Sequence, residues 1–76
     1  MKEKNIVVGL NQVKKHIRKK SVDSVCVAKD ADWSIKLILE EMCKDYEISM
    51  NYFPSKYELG KKAGINVPTA TVARLI

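Results

Sequence analysis

Seventy-six residues with 46% apolar and 30% charged side chains describe one small soluble globular domain, which buries only about 60% of its unfolded surface. No apolar run approaches the roughly 20 residues of a membrane span, and Met1 to Asn5 leads into a strand-like segment without a signal-peptide stretch, so a cytoplasmic protein without membrane contact is expected. The net charge of +5 is unevenly spread, with basic ends (residues 1–20 and 54–76) flanking an acidic middle (residues 21–53).

Ile6-Val7-Val8 is a β-branched run that stops at Gly9, which reads as a strand and a turn. The stretch that follows, GLNQVKKHIRKK, has helical spacing. Leu10, Val13 and Ile17 fall on one side, and Asn11, Gln12, Lys15, Arg18 and Lys19 on the other. Val22 to Ala28 ends in four apolar residues, as in a strand covered on both faces. Asp30-Ala-Asp32 interrupts the chain. Trp33 to Tyr46 returns to helical spacing with Ile35, Ile38, Leu39, Met42 and Cys43 on one face, and Asp32 is placed to cap it. Ile48 to Phe53 alternates as a third strand. Ser55 caps a helix through about Ala63, Gly64 closes it, Ile65-Asn66-Val67-Pro68 is a loop, and Thr69 to Ile76 is a final strand. The order β-α-β-α-β-α-β predicts a single α/β domain over residues 1–76, with a sheet between helical layers.

Little in this chain looks catalytic. It has one His, no glycine-rich phosphate loop and no nucleophile with a base beside it in sequence. Asp30 and Asp32 could hold a divalent ion, but a carboxylate pair between a strand and a helix more often caps the helix and favours its positive end. Cys26 and Cys43 lie within apolar patterns and lack the spacing of a zinc or redox motif, so both are read as reduced structural residues. Neither enzyme activity, nor a metal, nor a cofactor is expected.

Nucleic-acid binding has more support. A positive face assembled from the two basic ends attracts phosphate and releases counterions. Asn11 and Gln12 open a helix, where free N–H groups favour phosphate, and each amide offers a donor and an acceptor to a base edge. Lys15 and Lys19 follow at one-turn intervals, spaced to track a backbone. Ile65 and Val67 place two aliphatic side chains on a loop. They either hold unstacked bases or fold back into the core, and the pattern alone supports both.

The strings GLNQVKK, VCVAKDAD, SKYELGKKAGINVP and TATVARLI, in this order and spacing, resemble the ribosomal protein L-seven-Ae / L-thirty-e superfamily, and its short bacterial members above all. The resemblance runs from Ile6 to Ile76. It implies a three-layer α-β-α sandwich with a mixed four-stranded sheet, in which the family's N-terminal helix is largely absent. It also implies binding of the kink-turn, an RNA duplex bent at a bulge beside tandem sheared G·A pairs. By position, Asn11 and Gln12 match the residues that read those pairs, and Lys15 matches their supporting lysine. Lys19 matches a backbone contact. Asp32 and Lys56 fall near the flipped-out nucleotide, and Ile65, Asn66, Val67 and Pro68 match the apolar loop that packs on the bulge. A ribosomal or ribosome-associated role is the corresponding expectation.

Four departures stand out. Gln12 replaces a common Glu, with RNA binding expected to survive. Lys20 and Ser21 occupy a turn where the family usually has Gly, which costs about 1 kcal/mol if Lys20 needs a positive φ. Arg74 lies in a final strand that is usually apolar, at an edge or beside RNA. The short N-terminus leaves one sheet face less covered, which bears on stability and leaves a homo-oligomer open. The rival readings are a protein-interaction adapter that docks through the acidic helix (Glu40, Glu41, Asp45, Glu47) and, third, a metal-dependent nuclease built on Asp30 and Asp32.

Overall fold

The computed structural model describes residues 5–76. In chain order the elements are β1 (Ile6–Val8), α1 (Leu10–Arg18), β2 (Val22–Ala28), α2 (Trp33–Asp45), β3 (Ser49–Phe53), α3 (Lys56–Lys62) and β4 (Thr71–Leu75). The four strands form one sheet in the order β1-β4-β2-β3. β4 runs antiparallel to both of its neighbours, while β2 and β3 are parallel. The α/β class, the mixed sheet and the element order are those expected from the sequence. The expectation about an N-terminal helix concerns residues 1–4, which lie outside the described residues. Among the described residues, no helix is long and apolar enough to cross a membrane.

Alternation along the central strands separates the two sheet faces. Val25 and Val27 of β2 and Thr71 and Ala73 of β4 are fully buried on the face that carries α1 and α2. Val13 and Ile17 from α1 and Leu39 and Cys43 from α2 join them in one core. The other face carries Ser24, Cys26, Val72 and Arg74, with Leu59 of α3 and its C-cap residue Ala63 packed against part of it. Thr71 is tolerated inside because its hydroxyl donates to the Cys26 carbonyl at 2.9 Å. No buried side-chain polar atom among the described residues lacks a partner.

Two expectations change. Ile38 was placed on the buried face of α2, yet it remains 36% exposed. α2 packs beside α1 and over the edge strand β3, so only Leu39 and Cys43 of its stripe are fully covered. Arg74 is not at a sheet edge. It lies on interior strand β4, opposite Ile6 on one side and Ser24 on the other, with its side chain exposed.

All three helices end in the same way. Lys20, Glu47 and Gly64 each take a left-handed conformation, with φ of 59°, 55° and 79°. The N–H of each donates to the carbonyl three residues back (Ile17, Lys44 and Lys61), and the next N–H donates five residues back (His16, Cys43 and Gly60). This pair of bonds is a Schellman closure, which satisfies carbonyls at the helix end. Only α3 uses glycine for it. The positive φ anticipated at Lys20 is therefore present, and Glu47 repeats it at a position the sequence did not flag.

Tyr52 on β3 donates its hydroxyl to Glu40 Oε1 of α2 at 2.6 Å, which ties the helix to the sheet edge. That hydrogen bond, with smaller contributions from burial and the Glu40 charge, pushes the phenol up to about 12. A raised folded-state pKa stabilises the fold below the unfolded value of about 10, and this contribution disappears as pH climbs through about 12. The pair is exposed, so its contribution is small.

Two outcomes test these features. Lys20→Gly and Glu47→Gly should each stabilise the protein by up to about 1 kcal/mol in urea melts, because the relieved strain exceeds the added unfolded-chain entropy. Absorbance titration at alkaline pH should show one tyrosine ionising later than the others, and Glu40→Gln should bring it back towards them.

Candidate nucleic-acid interface

β1, β2 and β3 all point the same way, so their carboxyl ends, and the N-termini of the helices that follow them, meet at one end of the sheet. In α/β folds that end is where ligands bind. Five backbone or capping bonds hold it together. The Gly9 N–H donates to the Thr71 carbonyl at 3.0 Å, Ala28 to Ala70 at 2.9 Å, Lys29 to Phe53 at 2.8 Å and Thr69 to Lys56 at 3.2 Å. The Lys56 N–H donates to Asp30 Oδ1 at 2.8 Å.

The start of α1 is open to an anion. Gly9 stands at the cap position with φ 95° and brings no side-chain cap, and the first turn carries no acidic residue. The N–H groups of that turn therefore keep their positive potential. Asn11, Gln12 and Lys15 are exposed, while Val13 and Ile17 on the opposite side are fully buried. His16 donates from Nδ1 to the Gln12 carbonyl at 2.9 Å, a bond within the helix that gives this ring a local role.

Asp32 occupies the N-cap position of α2, but its side chain makes no capping hydrogen bond. The expected cap is thus corrected: the exposed Asp32 carboxylate is left for other contacts. Asp30 does cap a helix, but not α2, since it accepts from the first residue of α3. Ser55 caps α3 as expected, its hydroxyl accepting from the Glu58 N–H at 3.1 Å. Asp30 and Ser55 together fix the end of α3 that carries Lys56.

The loop from Ile65 to Pro68 lies beside this cluster, and its two aliphatic residues divide. Ile65 packs against the core, whereas Val67 is 60% exposed. Gly60 explains why the loop sits so close to α3. A Cβ there would stand 2.0 Å from the Val67 carbonyl oxygen, so only glycine permits the approach. Tyr57, Lys61, Ile65, Asn66 and Val67 line a cavity of about 180 Å³, and the Lys61 ammonium sits 4.9 Å from the centre of the Tyr57 ring. The sequence reading missed Tyr57 and Lys61. Their signal was an exposed aromatic one helical turn from a lysine.

The structure thus gathers Asn11, Gln12, Asp32, Lys56 and the loop 65–68 at one end of the sheet, with Lys15 one turn behind. Lys19 is apart from them. It caps the far end of α1, about 12 Å along the axis from Asn11.

A model of the Ribosomal protein L7Ae/L30e/S12e/Gadd45 family matches residues 1–76. The chain belongs to that family. Proteins named RNA-binding protein in Staphylococcus aureus strains Mu50 and N315 are 34% identical over 74 residues, which is 97% of this chain and 87% of theirs. Among solved structures, the Giardia lamblia 15.5kD RNA binding protein superposes with a TM-score of 0.87 at 29% identity over 95% of this chain. The chain spans 61% of that protein's length. A Bacillus halodurans protein of unknown function superposes with a TM-score of 0.86 at 23% identity, covering 92% of this chain and 70% of its own, a likeness of fold.

The glycine at position 60 supplies the test of the site's construction. Gly60→Ala should push the loop 65–68 away from α3 and destabilise the protein by about 1–3 kcal/mol. Urea melts and amide shifts of Ile65 to Val67 would register both effects.

Proposed function

We propose that this protein binds RNA and, within RNA, recognises the kink-turn. The observation that carries the proposal is the convergence at one sheet end of an uncapped, acid-free helix start, two exposed amides and an exposed aliphatic loop residue. Membership of the family and the names of its relatives support the RNA-binding part.

In this reading Asn11 and Gln12 project from the start of α1 into the groove opened at the kink and pair with the edges of the sheared G·A bases. Lys15 stands behind them as a phosphate contact. Val67 and Pro68 pack on the bulge, with Ile65 anchoring the loop from below. Asp32, freed from capping, accepts from the flipped-out nucleotide, and Lys56 faces its phosphate. The mechanism is a population shift. Free RNA of this type exchanges between extended and bent forms, and a protein that binds only the bent one draws the equilibrium towards it. A cytoplasmic, ribosome-associated setting belongs to the same proposal.

One observation favours a second reading, an adapter that docks a protein. Trp33 and Leu37 are 71% and 43% exposed, beside Glu40 on α2, and they line a shallow cleft with Lys36 and Tyr52.

Gel-shift titration with a kink-turn RNA, beside a control whose G·A pairs are converted to Watson–Crick pairs, separates the two readings. Asn11→Ala or Gln12→Ala should cost about 1–3 kcal/mol on the kink-turn and less on the control. Lys19→Ala, at the far end of α1, should weaken both RNAs alike and lower the salt slope by about one. Equal affinity of the unaltered protein for both RNAs would discard kink-turn recognition, and binding of neither would leave the adapter.

A further inference from the structure

Among the described residues, the sheet face opposite α1 and α2 is only partly covered. α3 has seven residues and is about 10 Å long, whereas the seven-residue β2 extends about 23 Å. The uncovered part is a cavity of about 340 Å³, at the small end of the range for ligand sites. Lys62 enters it from α3 and Arg74 from β4, and no carboxylate stands among its described lining residues. The two cations line the same cavity as Cys26. Burial raises the Cys26 thiol, and Lys62 and Arg74 pull against that rise, so both act on one point. With its pKa raised, the thiol stays neutral near pH 7 and does not offset their charge.

The polar and aromatic groups are arranged around this pair. Ser24 lies directly opposite Arg74, and Asn51 opposite Cys26. Phe53, two residues beyond Asn51 on the same strand face, forms a wall of the cavity. An anion between two cations, a planar group on an aromatic wall and an amide at its edge together describe one chemical class. We infer that this cavity binds a single nucleotide unit, with its phosphate between Lys62 and Arg74 and its base against Phe53 within reach of the Asn51 amide. The unit is either a free nucleotide or one residue of a single-stranded RNA. A duplex is too wide for the cavity. A second copy of this chain paired two-fold on this face would set Lys62 and Arg74 against their own images. The site lies on a different surface from the helix start at Asn11 and does not depend on the kink-turn reading.

Amide-resolved NMR of the whole chain tests the inference, with inorganic phosphate, the four nucleoside 5′-monophosphates and an unstructured tetranucleotide RNA as probes. Saturable shifts of the Ser24, Cys26, Asn51 and Val72 amides are expected with nucleotide, at least ten-fold tighter than with phosphate alone. Lys62→Gln and Arg74→Gln should each weaken them at least ten-fold. Both side chains are exposed, so a preserved amide spectrum will show that the variants fold. Shifts with the monophosphates assign a free nucleotide, and shifts with the tetranucleotide alone assign an RNA strand. Three results would each overturn the inference: no shifts on this face with any nucleotide probe, shifts indifferent to both substitutions, or equal affinity for phosphate and nucleotide. Arg74→Gln should leave kink-turn binding within two-fold, so failure of either site is read separately.

Discussion

The antiparallel pairing of β4 with both β1 and β2 is the constraint on which the rest of the molecule depends. It joins the first strand to the sheet, because among the described residues β1 has β4 as its sole strand neighbour. It also determines where the loop 65–68 is delivered. The chain must reach the start of β4 at the carboxyl ends of β1 and β2, so the residues just before Thr71 arrive beside the start of α1. The Gly9–Thr71 hydrogen bond is the point of contact. Two segments more than fifty residues apart become one surface through an ordinary strand pairing.

That surface is built mainly from backbone, with side chains in supporting roles. Asp30 and Ser55 hold the start of α3, and Gly60 admits the loop against the helix. The exposed groups, Asn11, Gln12 and Val67, are supported from beneath by buried Val13 and half-buried Ile65. Such an arrangement suits recognition of a preformed shape, since little ordering is left to be done on binding.

The elements were legible from periodicity and punctuation. Gly9, Ser55 and Gly64 stand where the structure turns, caps and closes, and the buried stripe of α1 is the one its spacing marks. What the sequence concealed was set by tertiary placement. Ile38 has the right spacing for burial, but α2 rides over an edge strand that cannot cover it. Asp32 has the right position for a cap, but the carboxylate that caps a helix start is Asp30, acting on α3 across a gap of 26 residues. For Arg74 an edge position stood open beside an RNA contact, because strand order is not written in local pattern. Glu47 was invisible for a different reason. A left-handed residue leaves no trace in composition when it is not glycine or asparagine. Within the candidate site, Asn11 and Gln12 were readable from their place at a helix start, whereas Tyr57 and Lys61 emerged only once the loop was seen beside them.

The central place of β4 also governs the order in which the molecule can assemble. During synthesis β1 and α1 emerge first, yet β1 has no strand to pair with until residues 71–75 have been made. Before then the strand pairing available is that of the β2–α2–β3 unit, whose parallel pair needs only its own crossover helix. The basic helix that carries Asn11 and Gln12 can pack on β2 and α2 before then, but its link to the sheet through β1 waits for nearly the whole chain. Contacts of such long sequence separation slow folding. They also mean that the proposed RNA surface is completed only as the last strand closes the sheet.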